Sequence, residues 1–150
     1  PAGKVFVLPK EGTATGRIVI DGSWEGEKLE NSISILIEEG IITDVSGDEK
    51  AEAIWQQLED TRSGLRPSKA AMVGNLAEFG FGMNPRAKII GNPLEDLVSR
   101  GAIYLGFGNN MALGGTVNVP IHIRGFCRKA TVALEDVDLL VEGKVTGKVR

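Results

Sequence analysis

The side chains best suited to chemistry in this 150-residue chain include its only histidine. His122 and Arg124 lie two residues apart in a short apolar run, and residues two apart on a strand point to the same face. The imidazole can supply hydrogen bonds, and the guanidinium can pair with a carboxylate of a ligand. Ser23 and Ser34 lack a nearby histidine for a nucleophilic triad. Cys127, five residues after the histidine, is predicted to be a small filler in a strand rather than a nucleophile.

Four short motifs, rich in glycine, asparagine, proline and acidic residues, follow one another along the chain, and the last of them contains this histidine. They contain Ala77, Glu78, Gly80, Gly82, Asn84, Pro85 and Ala87, then Gly91, Asn92, Leu94, Glu95 and Asp96, then Gly101, Phe107, Gly108 and Asn110, and finally Pro120, Ile121 and His122. With the opening Pro1-Ala2-Gly3-Lys4-Val5-Phe6, this order resembles the catalytic C-terminal domain of the aminopeptidase T-type dimetal aminopeptidase family. The resemblance covers nearly the whole chain and implies that family's fold and substrate cleft.

The resemblance also implies a set of former metal-site positions, most of which carry no ligand in this sequence. These positions are Lys4, Glu78, Tyr104, Met111, His122 and Arg124. Only Glu78 and His122 are of a ligand type, whereas a catalytic zinc site needs about three protein ligands and a water. A fixed Lys or Arg also repels a dication that a carboxylate would attract. The expectation is therefore no metal and no cofactor, with Lys4 or Arg124 paired to Glu78; the alternative is that these residues lie unpaired on a wetted surface.

The preferred functional hypothesis is a catalytically inactive, metal-free, aminopeptidase-like protein that binds a peptide in the former substrate cleft. Lys4 or Arg124 would pair with a ligand carboxylate, Glu78 with an amine, and Tyr104 and His122 would supply hydrogen bonds. On this hypothesis the chain is not an enzyme, and it presents a precursor peptide to partner modifying enzymes. The accessible backbone around its glycines either accepts an extended peptide or serves only to bend the strands.

Two alternatives stay open from the sequence. One is an active metal-dependent aminopeptidase fragment, in which Asp21, Glu95 or Asp96 folds close to His122 and completes the site. The other is a structural or oligomerising domain without a ligand, whose sheet edges pair two copies into a homodimer.

Size and charge narrow the class of protein further. A length of 150 residues predicts one domain, 1–150, which is expected to lack the N-terminal domain of the aminopeptidase family. The net charge of −3, without a Lys/Arg cluster interleaved with aromatic residues, argues against nucleic acid as a partner. No apolar run reaches the length of a membrane span. A single cysteine cannot form an internal disulfide, which favours a reducing cytoplasm.

Periodicity and turn signals predict an α+β fold, mainly antiparallel β-sheet with two or three short helices. The predicted strands cover 5–8, 16–22, 33–37, 41–45, 75–82 and 102–106, followed by strand after strand from 120 to 145 with turns at 136–138 and 142–144. One helix is predicted over 51–59 after the cap Asp48, with Trp55 on its core face, and another over 93–99 after the cap Asn92. A loop is predicted over 62–69.

Overall fold

A computed structural model describes residues 3–146 of the chain. Its strands are β1 (Lys4–Val7), β2 (Gly16–Ile20), β3 (Ser23–Trp24), β4 (Glu27–Lys28), β5 (Ile33–Glu38), β6 (Ile41–Ser46), β7 (Leu76–Gly82), β8 (Ile103–Gly108), β9 (His122–Cys127), β10 (Val132–Leu134), β11 (Val137–Val141) and β12 (Lys144–Val145). Its helices are α1 (Glu49–Ser63), α2 (Pro67–Ala70) and α3 (Pro93–Asp96), with a 3₁₀ turn at Met111–Leu113.

The strands form three antiparallel sheets. The six-stranded sheet has the order β1-β7-β8-β9-β3-β4, and two three-stranded sheets have the orders β2-β5-β6 and β10-β11-β12. Neighbouring strands in all three are antiparallel, which confirms the predicted α+β class with a mainly antiparallel sheet. None of the described helices is long and apolar enough to cross a membrane.

One hydrophobic core joins the β2-β5-β6 sheet, helix α1 and one face of the six-stranded sheet. On β5, alternate residues Ile33, Ile35 and Ile37 are buried, as expected for a strand with one face in a core. On β8, Leu105 and Phe107 belong to the same buried cluster. Tyr104 and Gly106, which alternate with them along β8, therefore lie on the opposite face of the sheet.

Helix α1 begins where its sequence predicts but ends later. The Asp48 side chain accepts a hydrogen bond from the Lys50 N–H at 3.0 Å, which is the expected N-cap. The helix continues through part of the predicted 62–69 loop because the Arg62 guanidinium, one residue before its end, donates to the carbonyls of Ile42 and Val73, both at 3.2 Å. Trp55 is only partly buried, although it packs against the core.

The second predicted helix is shorter than expected. Asn92 accepts from the Leu94 N–H at 3.1 Å, so the cap is confirmed, but α3 ends at Asp96. Ser99 and Arg100 leave the helical path because they form bridges with Asn84 and Gly82 at the end of β7. A similar correction applies near the C-terminal end, where Asp138 lies within β11 rather than in a turn.

Candidate functional site

The register of the six-stranded sheet gathers polar residues on the face opposite the core. Glu78 on β7 is opposite Gly106 on β8, and Gly106 is opposite Arg124 on β9. In the same way His122 is opposite Gly108. Directly opposed residues of antiparallel strands share a face, so these side chains point the same way. We call this the site face.

Two further rows complete the site face. Tyr104 lies between Gly80 on β7 and Phe126 on β9. On the edge strand β1, Lys4 is opposite Gly82 and Phe6 is opposite Gly80. The site face thus combines a carboxylate, two cations, an imidazole and a phenol with aromatic rings at its margin.

Gly80 on β7 has no side chain, and the Tyr104 ring occupies the space that a side chain would fill. A Cβ at Gly80 would overlap the Tyr104 ring and lie 2.5 Å from its hydroxyl oxygen. A Cβ at Gly106 would lie 3.1 Å from the Glu78 Cβ and 3.3 Å from the His122 ring. A side chain at position 80 would therefore displace the Tyr104 ring, and one at position 106 would press on Glu78 and His122.

Glu78 is the centre of an ionic cluster that we define as Lys4, Glu78, Tyr104, His122 and Arg124. The carboxylate is fully buried, whereas the side chains of Lys4, His122 and Arg124 are 24–29% exposed and form its rim. Oε1 accepts hydrogen bonds from Lys4 Nζ at 2.9 Å and from the Tyr104 hydroxyl at 2.8 Å. Oε2 accepts one from Arg124 Nε at 3.1 Å. Both oxygens of this buried carboxylate are therefore satisfied by side chains.

The cluster keeps Glu78 ionised. Burial alone would raise the pKa of its carboxyl group, but the polar contacts with His122, Lys4 and Tyr104 and the charge of Arg124 outweigh it and hold the pKa far below the ordinary value. Burial, followed by the hydrogen bond to Glu78 and its negative charge, raises the pKa of Tyr104 strongly. Tyr104 is therefore a neutral hydrogen-bond donor at ordinary pH.

The backbone around β9 fixes the orientation of His122. Its Nδ1 lies 2.7 Å from the Asn109 carbonyl, and since a carbonyl only accepts, Nδ1 must carry the proton. Its Nε2 faces Glu78 Oε2 at 3.8 Å and has no hydrogen-bond partner among residues 3–146. On the neighbouring turn, the Glu25 carboxylate accepts from the Arg124 N–H at 2.5 Å. Glu25 and Asn109 were not singled out from the sequence, because both lie in connecting segments that only the folded sheet brings to Arg124 and His122.

Five of the six positions singled out from the sequence meet in the ionic cluster, and Met111 does not. Met111 lies on the 3₁₀ turn after β8 and is 51% exposed.

The acidic residues considered as substitute ligands also lie elsewhere. The buried Asp96 accepts from the Ser23 hydroxyl at 2.5 Å and from the Ile90 and Gly91 N–H groups. Asp21 accepts from the Arg128 N–H, and Glu95 from the Lys88 N–H. All three are used to hold loops in place, so none of them completes a site at His122.

A family model for NicX, described as 2,5-dihydroxypyridine 5,6-dioxygenase, matches residues 1–147. The chain belongs to this family. The solved structure of 2,5-dihydroxypyridine dioxygenase from Pseudomonas putida KT2440 superimposes with a TM-score of 0.85 at 22% identity, over 98% of this chain and 44% of that one. The chain thus spans less than half the length of that protein. A search of curated proteins gave no match.

Membership of the NicX family corrects the interpretation drawn from the sequence. The resemblance to an aminopeptidase T-type domain is wrong, and with it the inactive, aminopeptidase-like peptide binder. The expectation that the chain is not an enzyme is also wrong, because the family model and the solved structure both describe dioxygenases. Neither comparison favours an active aminopeptidase or a purely structural domain. The matching motifs misled because residues in them serve the fold: Gly80 makes room for the Tyr104 ring, and Asn92 caps α3.

A dioxygenase raises the question of iron. Non-haem Fe(II) oxygenases bind the metal with two histidines and one carboxylate. This chain has one histidine, and residues 3–146 contain no group of three His, Cys, Asp or Glu side chains that could hold a metal. The carboxylate beside His122 is already bound by Lys4, Tyr104 and Arg124. The residues present do not fit such a metal.

Proposed function

We propose that the chain functions in a dioxygenase reaction on 2,5-dihydroxypyridine or a closely similar hydroxylated pyridine. The pyridine ring binds at the rim of the ionic cluster. The match of the family model to residues 1–147 carries this proposal. The 22% identity to the solved dioxygenase supports the shared fold alone, so the ring-binding role is argued from the side chains of this chain.

The rim has the chemistry that a small hydroxylated aromatic compound requires. Lys4 and Arg124 carry two positive charges against the single charge of Glu78, which leaves one positive charge for an ionised hydroxyl group. Within the described residues the Arg124 side chain donates only through Nε, so its two terminal nitrogens remain to donate hydrogen bonds to a ligand. An oxygen bound there would receive charge-assisted hydrogen bonds.

An aromatic surface lies next to these donors. Phe6 is 39% exposed on β1, on the same side of the sheet as Lys4, and Lys4 Nζ lies 4.8 Å from the centre of its ring. A flat heteroaromatic ring can stack on Phe6 while its oxygen contacts Lys4 and Arg124. Phe6 and the two cations therefore form the surface on which we place the ring.

The test measures ring binding and oxygen consumption separately. Isothermal titration of 2,5-dihydroxypyridine into the 150-residue protein should show saturable binding, and an oxygen electrode should show uptake that depends on the compound, with and without added Fe(II). Binding without uptake would assign ring binding, but not oxygenation, to this chain. Neither binding nor uptake would overturn the proposal.

Matched variants locate the binding surface. Arg124→Gln should weaken binding roughly 10- to 100-fold, because a lost hydrogen bond to a charged group is worth about 1.5–3 kcal/mol. Arg17→Gln removes an exposed arginine on β2 that bonds only Ser34 among the described residues, and it should leave binding unchanged. Equal affinities for the two variants would place the ring elsewhere on the protein.

A further inference from the structure

The ionic cluster has the layout of a cation site, but its cations belong to the protein. Glu78 is a fully buried carboxylate with a histidine nitrogen 3.8 Å from it, a pair that elsewhere in proteins ligates metals. Here the positive charge comes from Lys4 on β1 and Arg124 on β9, which approach the carboxylate from opposite sides of β7 and β8.

The hydrogen-bond donors around the carboxylate compete with a metal for its oxygens. A metal would have to lie about 2.0–2.2 Å from a carboxylate oxygen. Lys4 Nζ already lies 2.9 Å from Oε1 and Arg124 Nε 3.1 Å from Oε2, and the Tyr104 hydroxyl shares Oε1. A metal that took the place of one of these donors would leave that donor without its partner.

Charge opposes a metal as well. The cluster carries two cations and one anion, so a divalent ion approaching Glu78 meets a net positive charge rather than a negative one. The nearby Glu25 carboxylate, which accepts from the Arg124 N–H, is exposed to solvent, so water and salt screen its charge.

We propose that Lys4 and Arg124 permanently occupy the cation position of the Glu78 centre, so that the centre is complete without a metal and excludes divalent ions. The two cations also fasten the edge strand β1 and strand β9 to the middle of the sheet through one shared carboxylate. The inference concerns the Glu78 centre alone, and it holds whether or not hydroxypyridines bind at the rim.

The test begins with the unaltered protein. Purified without chelator, it should contain no stoichiometric iron, manganese or zinc by elemental analysis. Its melting temperature should be the same in buffer, in excess EDTA, and with Mn²⁺ or Zn²⁺ added. About one tightly held metal ion per chain, together with a lower melting temperature in EDTA, would overturn the proposal, since a ligand that binds the native state stabilises it by mass action.

A charge-reversing variant tests why the metal is excluded. Arg124→Asp removes one cation and places a second carboxylate beside Glu78 and His122, so Mn²⁺ or Zn²⁺ should now raise the melting temperature by several degrees. Arg17→Asp makes the same change on β2, away from the site face, and should show no response to metal. A response equal to that of Arg17→Asp would show that the cations are not what excludes the metal.

The milder variant Arg124→Gln covers the case in which Arg124→Asp does not fold. It should melt at a lower temperature than the unaltered protein, because Glu78 loses a charged partner, and it should bind Mn²⁺ more readily than Arg17→Gln does. If Arg124→Gln keeps the original melting temperature and gains no affinity for Mn²⁺, Arg124 does not fill the cation position. Binding of 2,5-dihydroxypyridine is measured in a separate titration. If that titration shows no binding, the metal-binding and melting-temperature results can still be interpreted.

Discussion

Glu78 shows how a carboxylate can remain charged while fully buried. The cost of removing its charge from water is offset by two nearby cations and a phenol hydroxyl. The side chains of Lys4 and Arg124 are only 29% and 28% exposed, and each donates a hydrogen bond to Glu78, so each of them also depends on the carboxylate. The residue is therefore a shared partner whose loss affects three strands.

Replacing Glu78 with glutamine should destabilise the protein by about 2 kcal/mol. The amide keeps the shape but removes the negative charge, and it leaves Lys4 and Arg124 close together without compensation. Urea denaturation gives the difference in unfolding free energy. Glu38→Gln, at an exposed position on β5, is the matched control and should change stability by less than about 0.5 kcal/mol. A comparable loss in both variants would contradict this account of the ionic cluster.

Cys127 should be unreactive in the folded protein. Burial, with a smaller effect from the negative charge of Asp21, raises the pKa of its thiol to about 12, and the thiolate is the reactive form. A chromogenic disulfide reagent at pH 8 should therefore label the thiol only after unfolding in concentrated urea. Labelling of the native protein at the rate of a free thiol would show that β9 opens readily.

At the scale of the elements, the site depends on glycines in the central strands. Tyr104 lies over Gly80, and its hydroxyl reaches Glu78 only because β7 has no side chain at that position. The alternation of glycine with larger residues along β7 and β8 thus separates two roles: one face packs into the core and the other holds the ionic cluster.

Gly80→Ala should disrupt the ionic cluster, although it adds only one methyl group. The added methyl group would overlap the Tyr104 ring, which must move and give up its 2.8 Å hydrogen bond to Glu78, at a cost of about 1–3 kcal/mol. Tyr104 is the only tyrosine of the chain, so the near-ultraviolet circular dichroism of tyrosine should change as well. Gly64→Ala is the control, because Gly64 has φ −85° and its nearest neighbour would be 3.9 Å away. An unchanged tyrosine signal in Gly80→Ala would contradict the proposed packing.

Elements with strong local signals were predictable from the sequence. The β5-β6 hairpin follows from two apolar runs around Glu39 and Gly40, both of which adopt positive φ, and α1 begins at the capping Asp48. Element ends were less predictable because distant contacts decide them, as when Arg62 binds two carbonyls near the end of α1.

The site was predictable in position but not in function. The resemblance singled out Lys4, Glu78, Tyr104, His122 and Arg124 together with Met111, yet their distances depend on the sheet register, which no local pattern determines. The same glycine framework can carry different chemistry, so motif matches to it identified the wrong family. The expected homodimer and cytoplasmic location stay predictions.

At the scale of the whole molecule, the fold places a net positive cluster on a protein whose overall charge is −3. One face of the six-stranded sheet packs into the core, and the other carries this cluster. The free energy of unfolding is therefore linked to the charge state of the cluster. That linkage makes stability depend on pH in a direction set by Glu78.

Acid should destabilise the protein through Glu78. In the unfolded chain its carboxyl group titrates near the ordinary value of 4.5, whereas in the folded protein the pKa is far lower. As pH falls below about 4.5, the unfolded state takes up a proton that the folded state does not, so unfolding becomes more favourable. The contribution of Glu78 is thus fully present above its unfolded pKa and declines as the pH falls toward its folded pKa.

Comparison with Glu78→Gln isolates this contribution from that of Glu11 and Asp48, whose pKa values are also lowered by hydrogen bonds. Urea unfolding from pH 7 to pH 3 should give a constant free-energy difference between the two proteins above about pH 6 and a shrinking difference below about pH 4.5. The two stability curves converge in acid because protonation removes from the unaltered protein the advantage that the substitution has already removed. A difference that stayed constant down to pH 3 would mean that Glu78 is not held ionised by Lys4 and Arg124, and the metal-free centre inferred from their contacts would lose its electrostatic basis.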